Sequence, residues 1–281
     1  MINEPKVSII MGVRNSQNTL NECIESILNQ TYTNWEFVIC NDASTDNTWQ
    51  ILESYKKKHP DKFILLKNDT NKKLAYSLNR CLEVATGTFI ARMDGDDISL
   101  PERLKKQVDF LNSNPGYSLV GTGMIPFDED GKRTPRIVKP IPNKYDLRFG
   151  SFFYHATIMI RKEVFDTLKG YTVLPRTQRG QDYDLWFRFF AKGYKGYNLQ
   201  EPLYLVRESI SDHKKRTLIS RIYEVQTRFY GYKLLNYPLK YYLFAFKPIL
   251  AGLTPGKLMY FYHNRKYNRR FNKKNTEKKG K

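Results

Sequence analysis

Apolar strand patterns alternate with amphipathic helix patterns along the first hundred residues of this 281-residue chain, and this alternation limits the folds that it can adopt. Residues 6–11 (KVSIIM) and 35–40 (WEFVIC) are mainly apolar runs, which are typical of strands covered on both faces. Further strands are predicted at 63–66 and 88–93, and helical patterns separate the four. The sequence therefore predicts an α/β fold, with right-handed βαβ units and a mainly parallel sheet flanked by helices.

The second half of the chain is less regular. Its patterns predict helices at 101–112 and 181–192, and strands at 118–127, 157–161 and 197–206. The polar, proline-containing segment 126–142 predicts a mobile loop.

A predominantly polar cluster of residues follows each of three predicted strands. They are Val13, Arg14 and Asn15 after the first strand, Asn41 and Asp42 after the second, and Asp94, Gly95, Asp96 and Asp97 after the fourth. Ligands of open parallel sheets bind beyond the carboxyl ends of the strands, so these loops predict one shared site. The sequence contains neither GxGxxG nor GxxxxGK[ST], which excludes a dinucleotide fingerprint and a P-loop.

The loop after the fourth strand is the most acidic of the three. Asp94, Asp96 and Asp97 lie within four positions, and like charges this close repel one another. Carboxylate oxygens suit a hard divalent ion such as Mg²⁺ or Mn²⁺, and nucleotide phosphates can fill its remaining coordination positions. The alternative is a solvated turn that supplies an acidic N-cap to the next helix.

Cysteine usage and hydropathy indicate the compartment. Cys23, Cys40 and Cys81 form no CxxC pair and lie in apolar segments, which predicts buried free thiols in a reducing environment. No signal peptide precedes the first strand, and no apolar run is long enough to span a membrane. The expected location is the cytoplasm.

The positive charge is concentrated at the carboxyl end. Residues 207–281 contain 19 Lys and Arg against 4 Asp and Glu, within a chain of net charge +19. Because these charges stand beside aromatic and aliphatic residues, 212–281 is predicted to be a helical, basic extension on an anionic membrane surface. Nucleic acid is a less favoured partner, since no recognition motif is present. A third possibility is a helical cap on the core, followed by a disordered basic end that includes 271–281.

Four segments, VSIIMGVRN (7–15), CNDASTDNT (40–48), ARMDGDDISLPERL (91–104) and GQDYDLWFR (180–188), together resemble the family 2 glycosyltransferases of bacterial polysaccharide synthesis. The resemblance covers about residues 6–211. It implies a GT-A type, Rossmann-like domain at 1–211, with a donor half (1–98) and an acceptor half (99–211). It also implies metal-dependent, inverting transfer of a hexosyl or N-acetylhexosaminyl group from a nucleotide sugar, expected to be a UDP-sugar. The acceptor would be a saccharide, expected to be lipid-linked, at the inner face of the cell membrane.

The resemblance also implies roles for single residues. Asp42 would bind the nucleotide base, Asp94 the nucleoside side of the donor, and Asp96 and Asp97 the Mn²⁺ or Mg²⁺ ion on the diphosphate. Asp182 would be the general base. The implied donor-binding set is Val13, Arg14, Asn15, Asp42, Lys73, Asp94, Gly95 and Asp96.

The chain departs from the family pattern at several positions. Arg14 replaces a common aromatic that packs on the base, although a guanidinium can also stack on a ring. Ala43 replaces a usual glycine, so its backbone is expected to avoid positive φ. Lys73 stands where glycine is frequent, and could add charge near the diphosphate. Glu208 stands where a histidine is often found.

The carboxyl-terminal helix motif leaves alternatives open. Asp182 and Asp184 are two residues apart on one helix, so only one of them can face the site. Asp182 is favoured because it lies at the start of the helix. The alternative to a catalytic role is that Asp182 is a structural carboxylate, stabilised at the helix amino terminus by the helix dipole. His155 fits a packed, hydrogen-bonded histidine better than an acceptor-site residue, and Arg179 fits a phosphate ligand or a surface arginine. Rival functions are a nucleotidyltransferase on a similar sheet, and an inactive sugar-nucleotide-binding protein.

Overall fold

The computed structural model describes residues 4–208 and 217–252. The strands are β1 (Val7–Val13), β2 (Trp35–Asp42), β3 (Phe63–Asn68), β4 (Phe89–Arg92), β5 (Ile98–Ser99), β6 (Leu119–Asp128), β7 (Gly131–Lys132), β8 (Met159–Arg161) and β9 (Gly196–Arg207). The α-helices are α1 (Leu20–Leu28), α2 (Thr48–Lys58), α3 (Leu74–Val84), α4 (Arg103–Ser113), α5 (Lys162–Leu168), α6 (Gln181–Ala191), α7 (Leu218–Leu234) and α8 (Lys247–Gly252). Short 3₁₀ helices lie at Lys144–Arg148, His155–Thr157, Pro175–Thr177 and Leu239–Phe246.

A single mixed sheet organises the fold. Its strand order is β3-β2-β1-β4-β8-β6-β9-β5, and β7 pairs with β6. Strands β1 to β4 are parallel, as predicted, whereas β8 runs antiparallel to both β4 and β6. The α/β class is confirmed, but parallel pairing is confined to the first four strands and to β6 with β9. Since β2 and β4 both flank β1, their carboxyl ends meet at one edge.

Helices bury both faces of the sheet. On one face α1 contributes Leu20, Cys23, Ile24 and Ile27, all fully buried. The other face is covered mainly by α3, α5, α6 and α7. The three cysteines are buried and free, as predicted.

The segment 126–142 is more ordered than the sequence suggests. Strand β7 pairs back onto β6, and Met124 forms a β-bridge with Arg136. The Arg136 guanidinium makes a two-pronged contact with the carboxylate of Glu208, at 2.5 and 2.9 Å. The prediction of a loop is therefore wrong for part of this segment, because an ion pair from a distant strand fixes it. Glu208, which stands where the family often has a histidine, is thus the partner of Arg136 in this ion pair.

The described part of the carboxyl-terminal region packs on the domain as a cap. A Cβ atom on Gly231 of α7 would lie 2.2 Å from the ring of Phe187, so the two helices touch closely. Tyr232, Leu235 and Tyr237 are buried in the same apolar cluster as α6. Across 4–208 and 217–252, no helix is both long and apolar enough to cross a bilayer. The expectation for 271–281 lies outside the described residues.

Candidate functional site

Hydrogen bonds join the loops that follow β1 and β2. The amide of Asn15 donates to Ser44 Oγ at 3.0 Å, and the amide of Thr45 donates to Asn15 Oδ1 at 2.9 Å. Arg14, which directly precedes Asn15, has an exposed side chain. The two loops therefore form one surface, as the sequence predicts from the strand order.

Asp42 anchors the start of α3. Its carboxylate is nearly buried, at 5% exposure, and accepts from Asn68 Nδ2 at 2.8 Å and from the amides of Lys72 and Lys73 at 2.7 and 2.8 Å. These three donors fix the carboxylate and bring the exposed Lys73 side chain beside the loops after β1 and β2. Contact between Asp42 and a nucleotide base stays a prediction.

Three non-glycine residues around Asp42 have positive φ. They are Asn15 at 52°, Ala43 at 52° and Lys73 at 71°. The expectation that Ala43 avoids positive φ is wrong, because the turn is held by the Ser44 amide, which donates to Asn41 Oδ1 at 3.3 Å. Such backbone costs about 1–3 kcal/mol per residue and persists only where surrounding contacts determine it. The loops are therefore held in a fixed, strained arrangement.

The acidic loop after β4 lies directly against the end of β1. Gly95 is buried, and a Cβ atom there would come within 2.9 Å of Val13 Cγ2. The Thr19 hydroxyl donates to the Gly95 carbonyl at 2.9 Å. Only a glycine allows this approach, so Val13, Gly95 and the neighbouring aspartates meet at the predicted sheet edge.

Two buried arginines lie beneath the acidic loop. Arg92, 2% exposed, forms an ion pair with Asp94, whose side chain is 35% exposed. Arg103 is fully buried and donates to the Arg92 carbonyl at 3.0 Å. Burial lowers the pKa of Arg103 to about 10, and its guanidinium lies 5.2 Å from the centre of the Tyr204 ring. Neither arginine was predicted as a site residue, although a lone arginine at the end of an apolar strand was a usable signal for Arg92.

The aspartates of this loop differ in their surroundings. Asp96 is exposed, whereas Asp97 is 2% exposed and accepts from the amide of Arg207 at 2.8 Å. Burial raises the pKa of Asp97, and the charges of Asp94 and Asp96 raise it further. The contact with the Arg207 amide fixes Asp97 in the loop, and its role as a metal ligand stays a prediction.

A divalent ion fits the remaining carboxylates. Asp94 and Asp96 offer hard oxygen atoms at the open edge of the sheet, the donor type that Mg²⁺ and Mn²⁺ prefer. Within the described ranges, no group of three or more His, Cys, Asp or Glu side chains is arranged to hold a metal. An ion at this edge would therefore need further ligands from a bound diphosphate.

Asp182 and Asp184 have different environments at the start of α6. Asp184 is fully buried and accepts from Thr172 Oγ1 at 2.6 Å, and from Arg176 and Arg188 at 2.7 Å each. Asp182 is partly exposed, and burial raises its pKa while nearby backbone amides and the Arg92 charge lower it. Asp184 is thus engaged in structural contacts, and Asp182 is the carboxylate of the pair with access to solvent.

Charges of the acidic loop and of Asp182 act on the same buried phenol. Burial raises the pKa of the Tyr171 phenol, and the charges of Asp182 and Asp94 both raise it further. Arg92, which forms the ion pair with Asp94, lowers the pKa of both Asp182 and Tyr171. That Asp182 shares a site with the acidic loop stays a prediction.

His155 has the packed environment that the sequence favoured. Its Nε2 lies 2.8 Å from the Tyr171 hydroxyl, and its ring meets Tyr171 and Trp186 edge to face. Burial and the Arg92 charge lower the pKa of His155, which keeps the ring neutral. Arg179 is exposed at the rim of a cleft beside Asp182.

Residues 8–169 match the sequence model of Glycosyl transferase family 2. The putative glycosyltransferase EpsE of Bacillus subtilis (strain 168) is 47% identical over 262 residues, which cover 93% of this chain and 94% of the relative. The UDP-Glc:alpha-D-GlcNAc-diphosphoundecaprenol beta-1,3-glucosyltransferase WfaP of Escherichia coli is 29% identical over 216 residues, covering 76% and 82%. The mannosyltransferase PcManGT of Pyrobaculum calidifontis, solved with GDP-Man and Mn²⁺, superposes with a TM-score of 0.62 at 16% identity, covering 96% and 84%.

Proposed function

The chain belongs to glycosyl transferase family 2, and on that premise we propose that it moves a sugar from a UDP-sugar to a lipid-linked saccharide with inversion at the anomeric carbon. As a glycosyltransferase it releases a nucleoside diphosphate, which sets aside the nucleotidyltransferase alternative. The observation that carries the proposal is the meeting of the Asp42 loop and the acidic loop at the ends of the strands that flank β1, in a chain of this family.

The donor would lie along the sheet edge. Arg14 and Lys73 present exposed positive side chains there, beside the Asp42 loop. Asp94 and Asp96 would hold Mn²⁺ or Mg²⁺, which when bound stabilises negative charge on the departing diphosphate. In support, the family 2 relative from Escherichia coli is named for a UDP-glucose donor, and the Pyrobaculum neighbour was solved with Mn²⁺.

Asp182 would act on the acceptor. An acceptor hydroxyl must lose its proton as it attacks, and a carboxylate within hydrogen-bond reach takes it. Burial raises the pKa of Asp182, which makes its carboxylate a stronger base than an ordinary aspartate. The inactive-protein alternative predicts instead that donor binding occurs without turnover.

An exposed apolar surface supports a membrane-bound acceptor. We name it the apolar ridge: Leu239, Leu243, Phe246 and Leu250, which are 85%, 75%, 45% and 63% exposed. Lys240 and Lys247 stand between these side chains in the sequence. Such a ridge could enter the headgroup region while lysines contact anionic lipid, each worth about 1 kcal/mol. The proposed location is therefore the inner membrane face, with the cleft near lipid-linked saccharides.

The test is a donor screen. The full chain is incubated with Mn²⁺, vesicles that carry a prenyl-diphosphate-linked N-acetylglucosamine, and either UDP-glucose, UDP-N-acetylglucosamine or GDP-mannose. Release of UDP with extension of the lipid-linked sugar is the expected result. Release of GDP only, or extension of free saccharide but not of the lipid-linked one, would contradict the assignment of donor or acceptor.

A further inference from the structure

A cleft of about 470 Å³ opens between the starts of α6 and α7. Its walls include Arg176, Arg179 and Gln181 on one side, and Ser220, Arg221 and Glu224 on the other. Leu74, the first residue of α3, closes the end of the cleft next to the Asp42 loop. Gln181, which lines the cleft, immediately precedes Asp182 in α6.

Positive charge predominates in the walls of the cleft. Arg179 is exposed, and no hydrogen bond or ion pair to it is found within 4–208 and 217–252. Arg221 donates from Nη1 to the Pro248 carbonyl at 2.8 Å, which leaves its other nitrogen donors for a ligand. Arg176 is paired with Asp184, and the single carboxylate in the walls, Glu224, is paired with Arg228 at 3.0 Å. The charge that remains for a ligand is therefore positive.

Two helix dipoles reinforce this charge. Helix α6 starts at Gln181 behind Gly180, which caps it without a side chain, and α7 starts at Leu218 behind Thr217. Gly180 and Thr217 both line the cleft. Helix amino termini carry partial positive charge and favour anions, and here two of them reach one cavity that also holds three arginines.

The outer rim of the same cleft is apolar. Leu218, Ile219 and Ile222 on the first turns of α7 are 67%, 61% and 42% exposed. Ile219 also lines the cleft. Arg221, another wall residue, is hydrogen-bonded to Pro248 of α8, the helix that carries Leu250 of the apolar ridge. A cationic floor with an aliphatic rim matches a ligand whose anionic group continues into a hydrocarbon chain.

We propose that this cleft binds the diphosphate of a prenyl-diphosphate-linked acceptor, with Arg179 and Arg221 as its charged contacts and α7 beside its hydrocarbon chain. This inference rests on the proposed function and specifies its acceptor. The donor diphosphate belongs at the acidic loop, on the other side of Asp182. An acceptor anchored in the cleft would present its sugar between the two, next to the carboxylate that removes its proton.

The test measures binding of farnesyl diphosphate to the full chain in the presence of saturating UDP and Mg²⁺, by calorimetry. Arg179→Ala and Arg221→Gln are each expected to weaken farnesyl diphosphate about tenfold, because a charge-assisted contact to phosphate is lost. Lys57→Ala, which removes an exposed charge from α2, is the matched control and should leave the affinity for farnesyl diphosphate unchanged. Inorganic pyrophosphate should bind more weakly than farnesyl diphosphate but respond to the same arginine variants.

Several outcomes would overturn the proposal. Unchanged farnesyl diphosphate affinity in both arginine variants would exclude the cleft as its site. A matching loss of UDP affinity, measured without farnesyl diphosphate, would assign the arginines to the donor instead. Failure of the proposed function is distinguishable, since it would appear as absent UDP-sugar binding or turnover in the unmodified chain.

Discussion

Asp182→Asn and Asp184→Asn should fail in opposite ways, although the two residues are neighbours on one helix. Asp182→Asn keeps the size of the side chain and removes the base. General-base catalysis contributes about 10²–10⁴-fold to rate, so the loss in transition-state stabilisation is about 3–5 kcal/mol. Because Asp182 has no hydrogen bond to the loops after β1, β2 or β4 in the described structure, affinity for UDP should be unchanged.

Asp184→Asn should instead destabilise the fold. The Asp184 carboxylate is fully buried between two guanidiniums and the Thr172 hydroxyl. Breaking a buried ion pair by removing one partner costs about 3–5 kcal/mol, a large share of the roughly 5–15 kcal/mol that holds a domain folded. The midpoint of chemical denaturation should therefore fall for Asp184→Asn and stay nearly constant for Asp182→Asn.

The assays are UDP release, calorimetric UDP binding and urea denaturation, with the pH dependence of kcat/KM as a further measurement. The reaction requires ionised Asp182, and burial raises its pKa above 3.8, so the unmodified enzyme should lose activity as pH falls through that raised value. The residual turnover of Asp182→Asn should not show this loss of activity at low pH. Full turnover in Asp182→Asn, or loss of its UDP binding at normal stability, would refute the assignment of the base.

Three further substitutions test other parts of the structure. Gly231→Ala should lower the free energy of unfolding, measured by urea denaturation, by about 1–2 kcal/mol, since its new methyl group would overlap the Phe187 ring; unchanged stability would contradict the close helix contact. Ala43→Gly should stabilise the protein by up to about 1 kcal/mol in urea denaturation, because glycine tolerates a φ of 52°; a destabilised variant would contradict this strain. Leu239→Asp with Leu243→Asp should abolish sedimentation with anionic vesicles at constant melting temperature, because both side chains are exposed; retained sedimentation would remove the ridge from membrane binding.

Local patterns were sufficient to predict the donor side of the fold. The strands ending at Val13, Asp42 and Arg92 are short apolar runs followed by polar residues, and the parallel βαβ rule brings their ends together without further information. The acidic loop could also be identified from its residue types, whereas the role of Asp182 was implied by the resemblance to family 2 glycosyltransferases.

Features that depend on distant contacts could not be predicted in the same way. The positive φ of Ala43 follows from the fit between two loops, and the ordering of Arg136 depends on Glu208. Burial of Asp97 is set by β9, more than a hundred residues later. The packing of Gly231 on Phe187 likewise joins a basic, aromatic segment to the core, where composition indicated a surface role.

The buried guanidiniums of Arg92 and Arg103 have a consequence for how the enzyme would respond to chelation. They offset the charge of the aspartates from within the protein, so the acidic loop does not need an external ion to keep its shape. EDTA should therefore stop turnover while leaving the thermal unfolding curve in place. An ion held by so few protein ligands would enter and leave with each substrate molecule, which would make the rate follow the free Mg²⁺ and Mn²⁺ of the surrounding medium.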